Sequence, residues 1–294
     1  PYLTVLEGMR EIAKENGADT TYHRGCGALD KNDADLDGAE KTARESDVIV
    51  LVTGDTAEQA GEQKDRANLD LSGAQQELFD RLRKLGKPLV TVLVSSKPLS
   101  IPLIAEETDA LIAAFNGGMF GGLAVAEVVF GKINPSGKLP ISFPRHSGQL
   151  PVYYNAMPGW HGGKYMDLPA TPLFTFGEGL SYTEYKYSNL TIDEKSLVLR
   201  VDVTNTGTVD GAETAQVYFR DKVSSVMTPV MQLIAFQKIA LKAGETKTVT
   251  FRLDRSDFSL ITPDEKRVTE PGAFLIMVGP SAREDCLLKI ETVL

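Results

Sequence analysis

The chain is poor in the residues that build metal centres and cross-links. It has two cysteines, Cys26 and Cys286, and three histidines, His23, His146 and His161. The cysteines lie far apart and in no CxxC pattern, so they read as free thiols rather than as a disulfide framework or a zinc site. The histidines are scattered singly and read as surface or loop residues. Neither a metal nor an organic cofactor is expected. No run approaches the roughly 18 consecutive apolar residues that would span a bilayer, so no membrane span is expected. Positive charge is in the minority, 31 Lys and Arg against 40 Asp and Glu, for a net charge of −9. A chain of that sign repels phosphate backbones, which argues against a nucleic-acid partner. Internal repeats and low-complexity tracts are absent. The start, Pro1-Tyr2-Leu3-Thr4, is neither a signal peptide nor an initiator methionine, and reads as a cut inside a longer polypeptide. Periplasmic, secreted and cytoplasmic locations all stay open.

What remains is an ordinary globular composition. With 294 residues, 42% of them hydrophobic, the chain is long enough for two domains, each with its own core. The first half alternates helix-like and strand-like segments. Tyr2 to Glu15 places Leu3, Leu6, Met9, Ile12 and Ala13 at helical spacing. Asp47 to Val52 and Leu89 to Val94 are short apolar runs of the kind buried on both faces of a parallel sheet. Asp109 to Ala114 follows in the same style. Ser72 to Leu85 reads as a helix capped by Ser72 and stopped by Gly86 and Lys87-Pro88. Gly121 to Phe130 reads as a helix, and Leu139 to Phe143 as a last short strand. This alternation predicts an α/β layered sandwich domain over 1–144.

From about Leu197 the pattern changes to short alternating strands separated by turn signals: Leu197–Val203, Ala215–Arg220, Leu233–Leu241, Thr248–Leu253 and Ala273–Val278. They predict an all-β, immunoglobulin-like antiparallel sandwich over 188–294. Residues 145–187, rich in Pro, Gly and aromatics, read as an ordered segment crossing between the domains.

Chemistry concentrates in one place. After the strand ending near Val52 comes Gly54-Asp-Thr-Ala-Glu-Gln-Ala-Gly-Glu-Gln-Lys-Asp-Arg-Ala-Asn-Leu-Asp-Leu71. It holds Asp55, Glu58, Glu62, Asp65 and Arg66. Ligands in open α/β sheets bind outside the carboxyl ends of the strands, and long loops in compact domains are often functional. On residue chemistry alone the loop is either a solvated acidic surface or a site built on carboxylates. Asn134-Pro135-Ser136-Gly137 reads as a tight turn. The pairs Gly117-Gly118 and Gly121-Gly122 lack the Gly-Lys-Ser/Thr of a phosphate loop and read as close helix packing. Trp160, flanked by glycines, reads either as a sugar-stacking wall or as packing between domains. Val223 to Met231 is an apolar-rich loop that offers contact to a neighbouring domain or subunit.

The order of motifs goes further. Gly54…Glu62-x-x-Asp65-Arg66…Leu69-x-Leu71…Gln75, then Gly117…Gly121-Gly122…Phe130-Gly131…Asn134-Pro135-Ser136-Gly137-Lys138-Leu139-Pro140…Phe143-Pro144, then Phe176-Gly177-x-Gly179-Leu180-Ser181-Tyr182-Thr183, resembles glycoside hydrolase family 3. The resemblance runs over essentially the whole chain and points to the bacterial periplasmic-type β-glucosidase branch. It implies a retaining, exo-acting β-glycosidase, built from an N-terminal barrel that carries an aspartate nucleophile, an α/β sandwich and a fibronectin type III-like domain. A loop of the sandwich supplies the acid/base glutamate, and Glu62 matches it. Asp55, Asp65, Arg66 and Trp160 become candidates for substrate binding or loop support, with Arg66 expected to pair with a carboxylate.

The 294 residues do not hold a barrel beside two other domains. The resemblance therefore implies that the N-terminal barrel, as a domain or as a separate chain, is a partner. It implies a β-linked oligosaccharide or aryl glycoside as substrate and little activity from this chain alone. β-Xylosidase specificity and a homo-oligomer stay open. The rival expectation is a non-catalytic carbohydrate-binding or scaffolding module, which has no need of an acid/base glutamate in a long loop.

Overall fold

A computed structural model describes residues 2–159 and 165–294. The chain divides into two units, one made of Pro1–Ile133 with Pro144–Leu150, the other of Asn134–Phe143 with Pro151–Leu294.

The first unit is α/β. Its elements are α1 (Val5–Glu15), α2 (Leu36–Arg44), β1 (Ile49–Gly54), α3 (Gln75–Arg83), β2 (Leu89–Val94), α4 (Pro102–Glu107), β3 (Ala110–Ala113) and α5 (Gly121–Val129). Thr4 starts α1 with a capping box: its hydroxyl accepts from Glu7 N–H, and Glu7 Oε2 accepts from Thr4 N–H at 2.8 Å. That satisfies two of the amides that a helix start leaves open. Helix α1 lies directly on α5. A Cβ on Gly8 would stand 2.5 Å from the Gly122 carbonyl oxygen, and one on Gly122 would overlap the Thr4 carbonyl. Gly122 is thus a packing glycine, as its sequence context suggests, whereas a Cβ on Gly121 would meet nothing.

Strands β1, β2 and β3 form a parallel sheet in that order, with Ile49 opposite Leu89 and Val90 opposite Ala110. Central β2 buries Leu89, Thr91, Val92 and Leu93. Edge strand β1 departs from the expectation of burial on both faces. It alternates, with Ile49, Leu51 and Thr53 inward, Val50 only part-buried and Val52 about half exposed. An edge strand with one open face needs only every second residue in the core. Helix α3 packs Leu78, Phe79 and Leu82 inward.

Two readings of this unit are corrected. Ser72 does not cap α3. The N-cap position is Ala74, without a side-chain cap, and Ser72 Oγ accepts from Gln59 Nε2 at 2.6 Å. Leu139–Phe143 is not a strand of the parallel sheet. It makes one bridge, Phe143 to Phe174, and belongs to the second unit.

The second unit is a fibronectin type III-like sandwich of two antiparallel sheets. Its strands are β4 (Tyr185–Asp193), β5 (Val198–Asn205), β6 (Gly211–Asp221), β7 (Gln232–Leu241), β8 (Thr246–Arg252), the short pair β9 (Leu260–Ile261) and β10 (Arg267–Val268), β11 (Ala273–Gly279) and β12 (Leu288–Val293). One sheet has the order β12-β11-β6-β7 and the other β4-β5-β8. Alternate residues meet between the sheets: Leu199, Val201 and Val203 from β5, Val217 and Phe219 from β6, Phe274, Ile276 and Val278 from β11. Phe258 closes the core edge-on against Phe219 and Phe274, with ring centroids 5.4 and 5.3 Å away.

The outer face of the four-stranded sheet is covered too. Tyr154 stacks on Phe176 at 4.2 Å and meets Tyr218 edge-on. Val230 N–H donates to the Ala156 carbonyl, and Ala282 N–H to that of Phe176. The aromatic-rich segment is therefore sewn onto β6 and β11. This explains why Tyr218 and Met277, which point away from the sandwich core, are as buried as the core itself.

Asn134-Pro135-Ser136-Gly137 forms neither a turn nor a strand. The Asn134 amide donates to the Asp210 carbonyl and accepts from Ser181 Oγ and Tyr182 N–H. Beside it, Lys138 Nζ meets Glu213 Oε1 at 3.1 Å, and Tyr187 OH donates to the same oxygen at 2.9 Å. Burial pushes the Glu213 carboxyl above its ordinary range, with Lys138 acting against the shift.

Candidate active site

The carboxylate-rich loop leaves the sheet at Gly54, whose φ is 146°. Any Cβ there would overlap the Val94 carbonyl of β2, so only glycine can end β1 in this register. The buried Gln75 amide holds the same point. Its Oε1 accepts from Gly54 N–H at 2.8 Å and from the Thr53 hydroxyl, and its Nε2 donates to the carbonyls of Gly54, Ser72 and Ala28. The start of α3 is thereby tied to the end of β1.

Asp55, the first loop residue, turns inward. Its side chain is 3% exposed. It accepts from Ser96 N–H at 2.9 Å and from Ser96 Oγ at 2.6 Å. Lys97 Nζ lies 3.7 Å away and donates to the Gln59 carbonyl at 2.7 Å. The far end of the loop is equally fixed. Leu69 is buried, its N–H donates to Ser147 Oγ at 3.0 Å, and its carbonyl accepts from Ser100 N–H.

Between these anchors Glu62 is exposed, set between Gly61 at φ 125° and Gln63 at φ 62°. Among the described residues its carboxylate has no hydrogen-bond or ion-pair partner. Asp65 is exposed in the same way. Arg66 donates to the Asp70 main-chain carbonyl at 2.6 Å rather than to a carboxylate, a bond that closes the returning arm of the loop. Glu58 is exposed, and its carbonyl accepts from Lys64 Nζ. Trp160 lies outside the described residues.

The structure therefore separates the candidates. Asp55 is buried among donors at the base, Arg66 braces the return, and Glu62 and Asp65 project. Sequence reasoning passed over Ser96, Lys97 and Ser147. The signal for the first two was available: in a parallel sheet the carboxyl ends of neighbouring strands lie side by side, so Ser95-Ser96-Lys97 after β2 had to border the loop after β1. Ser147 is 78 positions from its partner Leu69, and no local pattern marks it. Among the described residues no group of His, Cys, Asp or Glu side chains is placed to hold a metal ion. No described helix is long and apolar enough to cross a membrane.

The described residues thus form a parallel α/β unit with a carboxylate-rich loop at its strand ends, followed by an antiparallel sandwich. Residues 1–182 match the glycosyl hydrolase family 3 C-terminal domain, and residues 213–282 the fibronectin type III-like domain. The chain belongs to glycosyl hydrolase family 3. It is 42% identical to a β-xylosidase of Formosa agariphila over 99% of its own length and 41% of the relative's. It is 38% identical to a periplasmic β-glucosidase of Salmonella typhimurium, covering 83% of this chain and 34% of that protein. A solved β-glucosidase of intestinal bacteria, involved in saponin metabolism, superposes with a TM-score of 0.91 at 36% identity, covering 100% of this chain and 46% of that one. The chain thus spans less than half the length of these relatives.

Proposed function

We propose that this chain is part of a retaining, exo-acting β-glycosidase. It would act as a β-glucosidase on terminal β-linked sugars of oligosaccharides or aryl glucosides, with Glu62 as general acid/base. The observation that carries this reading is the contrast within one loop. Both ends are pinned by hydrogen bonds, while the carboxylate of Glu62 stands in solvent with no hydrogen-bond or ion-pair partner among the described residues. A structural glutamate would be used by its neighbours; this one is presented.

In this mechanism the Glu62 carboxyl gives its proton to the glycosidic oxygen as the bond to the anomeric carbon breaks. A second carboxylate attacks that carbon from the other face and forms a glycosyl ester. Glu62, now a carboxylate, takes a proton from water, which attacks the ester and releases the sugar with its configuration retained. The two carboxyl groups must come to about 5 Å of each other. The nucleophile would come from an N-terminal barrel, as a domain of a longer polypeptide or as a second chain. The exposed apolar group of Tyr2, Met119 and Phe120 supports such a neighbour. It is gathered at one place by the bond from Leu3 N–H to the Met119 carbonyl, and an apolar cluster left in water favours association. Asp55 and Arg66 would support the loop, and Asp65 projects near enough in sequence to contact substrate or barrel.

A second reading, β-xylosidase, draws on the Formosa agariphila relative at 42% identity. The two differ by the sugar's hydroxymethyl group, which the barrel would have to recognise.

Hydrolysis of aryl β-glucosides and β-xylosides by this chain, alone and mixed with a family barrel from the same source, tests the proposal. Activity only in the mixture, lost in Glu62→Ala, supports it, and the preferred sugar decides between the two readings. Turnover by the chain alone would mean that a carboxylate here serves as nucleophile. Silence in both, with sugar binding retained, would favour the non-catalytic module.

A further inference from the structure

The carboxyl end of β2 carries Lys97, for which the reading of Glu62 provides no role. Lys97 joins two points of the neighbouring loop. Its ammonium donates to the Gln59 carbonyl at 2.7 Å and lies 3.7 Å from Asp55 Oδ2. Asp55 is nearly buried, and its other donors, Ser95 Oγ, Ser96 N–H and Ser96 Oγ, are all neutral. Lys97 is the cation that faces it. Gln59 is in turn only three residues before Glu62, and its side chain reaches Ser72 Oγ.

The upstream arm of the loop is thus clamped by two side chains, Lys97 on the main chain and Ser72 on the amide. The downstream arm is fixed independently at Leu69 by Ser147 and Ser100. Beyond Gln59 the backbone turns through two left-handed residues, Gly61 and Gln63. Glu62, sitting between them with no hydrogen bond of its own among the described residues, takes its place from the backbone. A carboxyl that must transfer a proton has to lie within hydrogen-bond reach of the leaving oxygen, so small displacements of its loop matter.

We infer that Lys97 is a positioning residue for Glu62, bridging Asp55 and the Gln59 carbonyl so that the acid/base arm of the loop stands at a fixed height above the sheet. This rests on the reading of Glu62 as the acid/base.

The test uses the full-length enzyme that contains this sequence, with kcat/KM measured for aryl β-glucosides running from 2,4-dinitrophenyl to phenyl. A dinitrophenolate leaves without a proton, whereas a phenolate of high basicity needs one, so a misplaced acid is felt only by the poor leaving groups. Lys97→Met is expected to lower kcat/KM for the phenyl glucoside about tenfold or more, and that for the dinitrophenyl glucoside by less than about threefold. Lys97→Arg, which keeps a donor and a charge, should restore most of the phenyl activity. Retained dinitrophenyl turnover also shows that the variant is folded. Equal loss on both substrates, or no loss on either, overturns the positioning role. Glu62→Gln is the control. If it shows the leaving-group dependence and Lys97→Met does not, only the role of Lys97 falls. If Glu62→Gln shows none, the acid/base reading falls with it.

Discussion

Gln75 holds Gly54 by both of its main-chain groups: Oε1 accepts from Gly54 N–H at 2.8 Å, and Nε2 donates to the Gly54 carbonyl at 2.9 Å. One side-chain amide from α3 thereby imitates the strand that β1 lacks at this point. It fixes the direction in which the Glu62 loop leaves the sheet. The arrangement places the loop's geometry under the control of a residue 13 positions downstream of Glu62.

Replacing Gln75 should therefore cost both stability and alignment. Gln75→Leu removes the partners of a buried strand end, and each buried polar group left open costs about 1–3 kcal/mol. A loss of roughly 3 kcal/mol is expected in urea unfolding followed by circular dichroism. Gln75→Glu should be nearly as harmful, because it loses the donor to Gly54 O and buries a charge.

Gly54 itself should tolerate nothing else. In Gly54→Ala the new Cβ overlaps the Val94 carbonyl, so β1 and β2 must separate and the unit should fail to accumulate as folded protein. Gly131→Ala is the matched control. Its φ is 70°, but a Cβ there meets nothing, so only the left-handed strain of about 1–2 kcal/mol is expected. Soluble yield and thermal melting of the two variants make the comparison.

Glu62→Gln in the full-length enzyme should lower kcat for a phenyl β-glucoside by about 10²–10⁴-fold, the usual worth of a general acid or base. Thermal stability should be nearly unchanged, since the side chain is exposed and makes no hydrogen bond or ion pair among the described residues. Azide, which needs no deprotonation to act as a nucleophile, should speed turnover of a dinitrophenyl substrate in Glu62→Ala. It should yield a β-glycosyl azide, detectable by mass spectrometry.

The buried pair Lys138–Glu213 predicts a pH-dependent penalty. In the folded chain burial raises the Glu213 pKa above the ordinary value of 4.5. The protonated carboxyl is thus the form the fold prefers, and stability contributed by this group is lost as pH rises through the folded pKa. Lys138 limits that loss by pairing with the ionised form. Lys138→Met should cost least at low pH, where Glu213 takes up a proton, and about 3 kcal/mol at neutral pH, where a buried carboxylate is left without its counter-ion. Urea midpoints measured across pH 4.5 to 8 test the sign.

Phe258→Ala should cost about 3–5 kcal/mol. The ring is 1% exposed and fills the gap between Phe219 and Phe274. Equilibrium denaturation should show the loss in the β-sandwich, with the α/β unit's far-ultraviolet signal retained at intermediate urea.

How legible the fold was depended on how local its causes were. Strand β2 runs from Leu89 to Val94, the bounds its apolar run predicts. Helix α1 differs only at its start, where the Thr4 cap shortens it. Helix α2 gives little periodic signal because its inward residues, Leu36, Ala39 and Ala43, are mostly small and most of its remainder is charged. Strand β4 straddles the expected boundary between the crossing segment and the β domain at 187/188, since Tyr185–Asp193 alternates only weakly between half-buried and exposed positions. Leu139–Phe143 has a strand's composition but no neighbouring strand to pair with beyond the single bridge at Phe143.

The candidate site divides in the same way. That a carboxylate-bearing loop follows a buried strand, and that Glu62 stands in a family-like spacing ahead of Asp65-Arg66, is written in consecutive residues and needs no coordinates. Periodicity and turn chemistry act over one or two turns or strands, so they also determine the succession from an α/β unit to a β-sandwich. Which carboxylate is buried and which is presented was decided only by tertiary structure. Asp55 and Glu62 are alike in sequence. One is drawn inward because the end of β2 brings Ser96 and Lys97 beside it, and the other is left in solvent because no described residue is brought into hydrogen-bond reach of it. Those partners are about 40 residues away along the chain, and only the pairing of parallel strands turns that separation into hydrogen-bond distance.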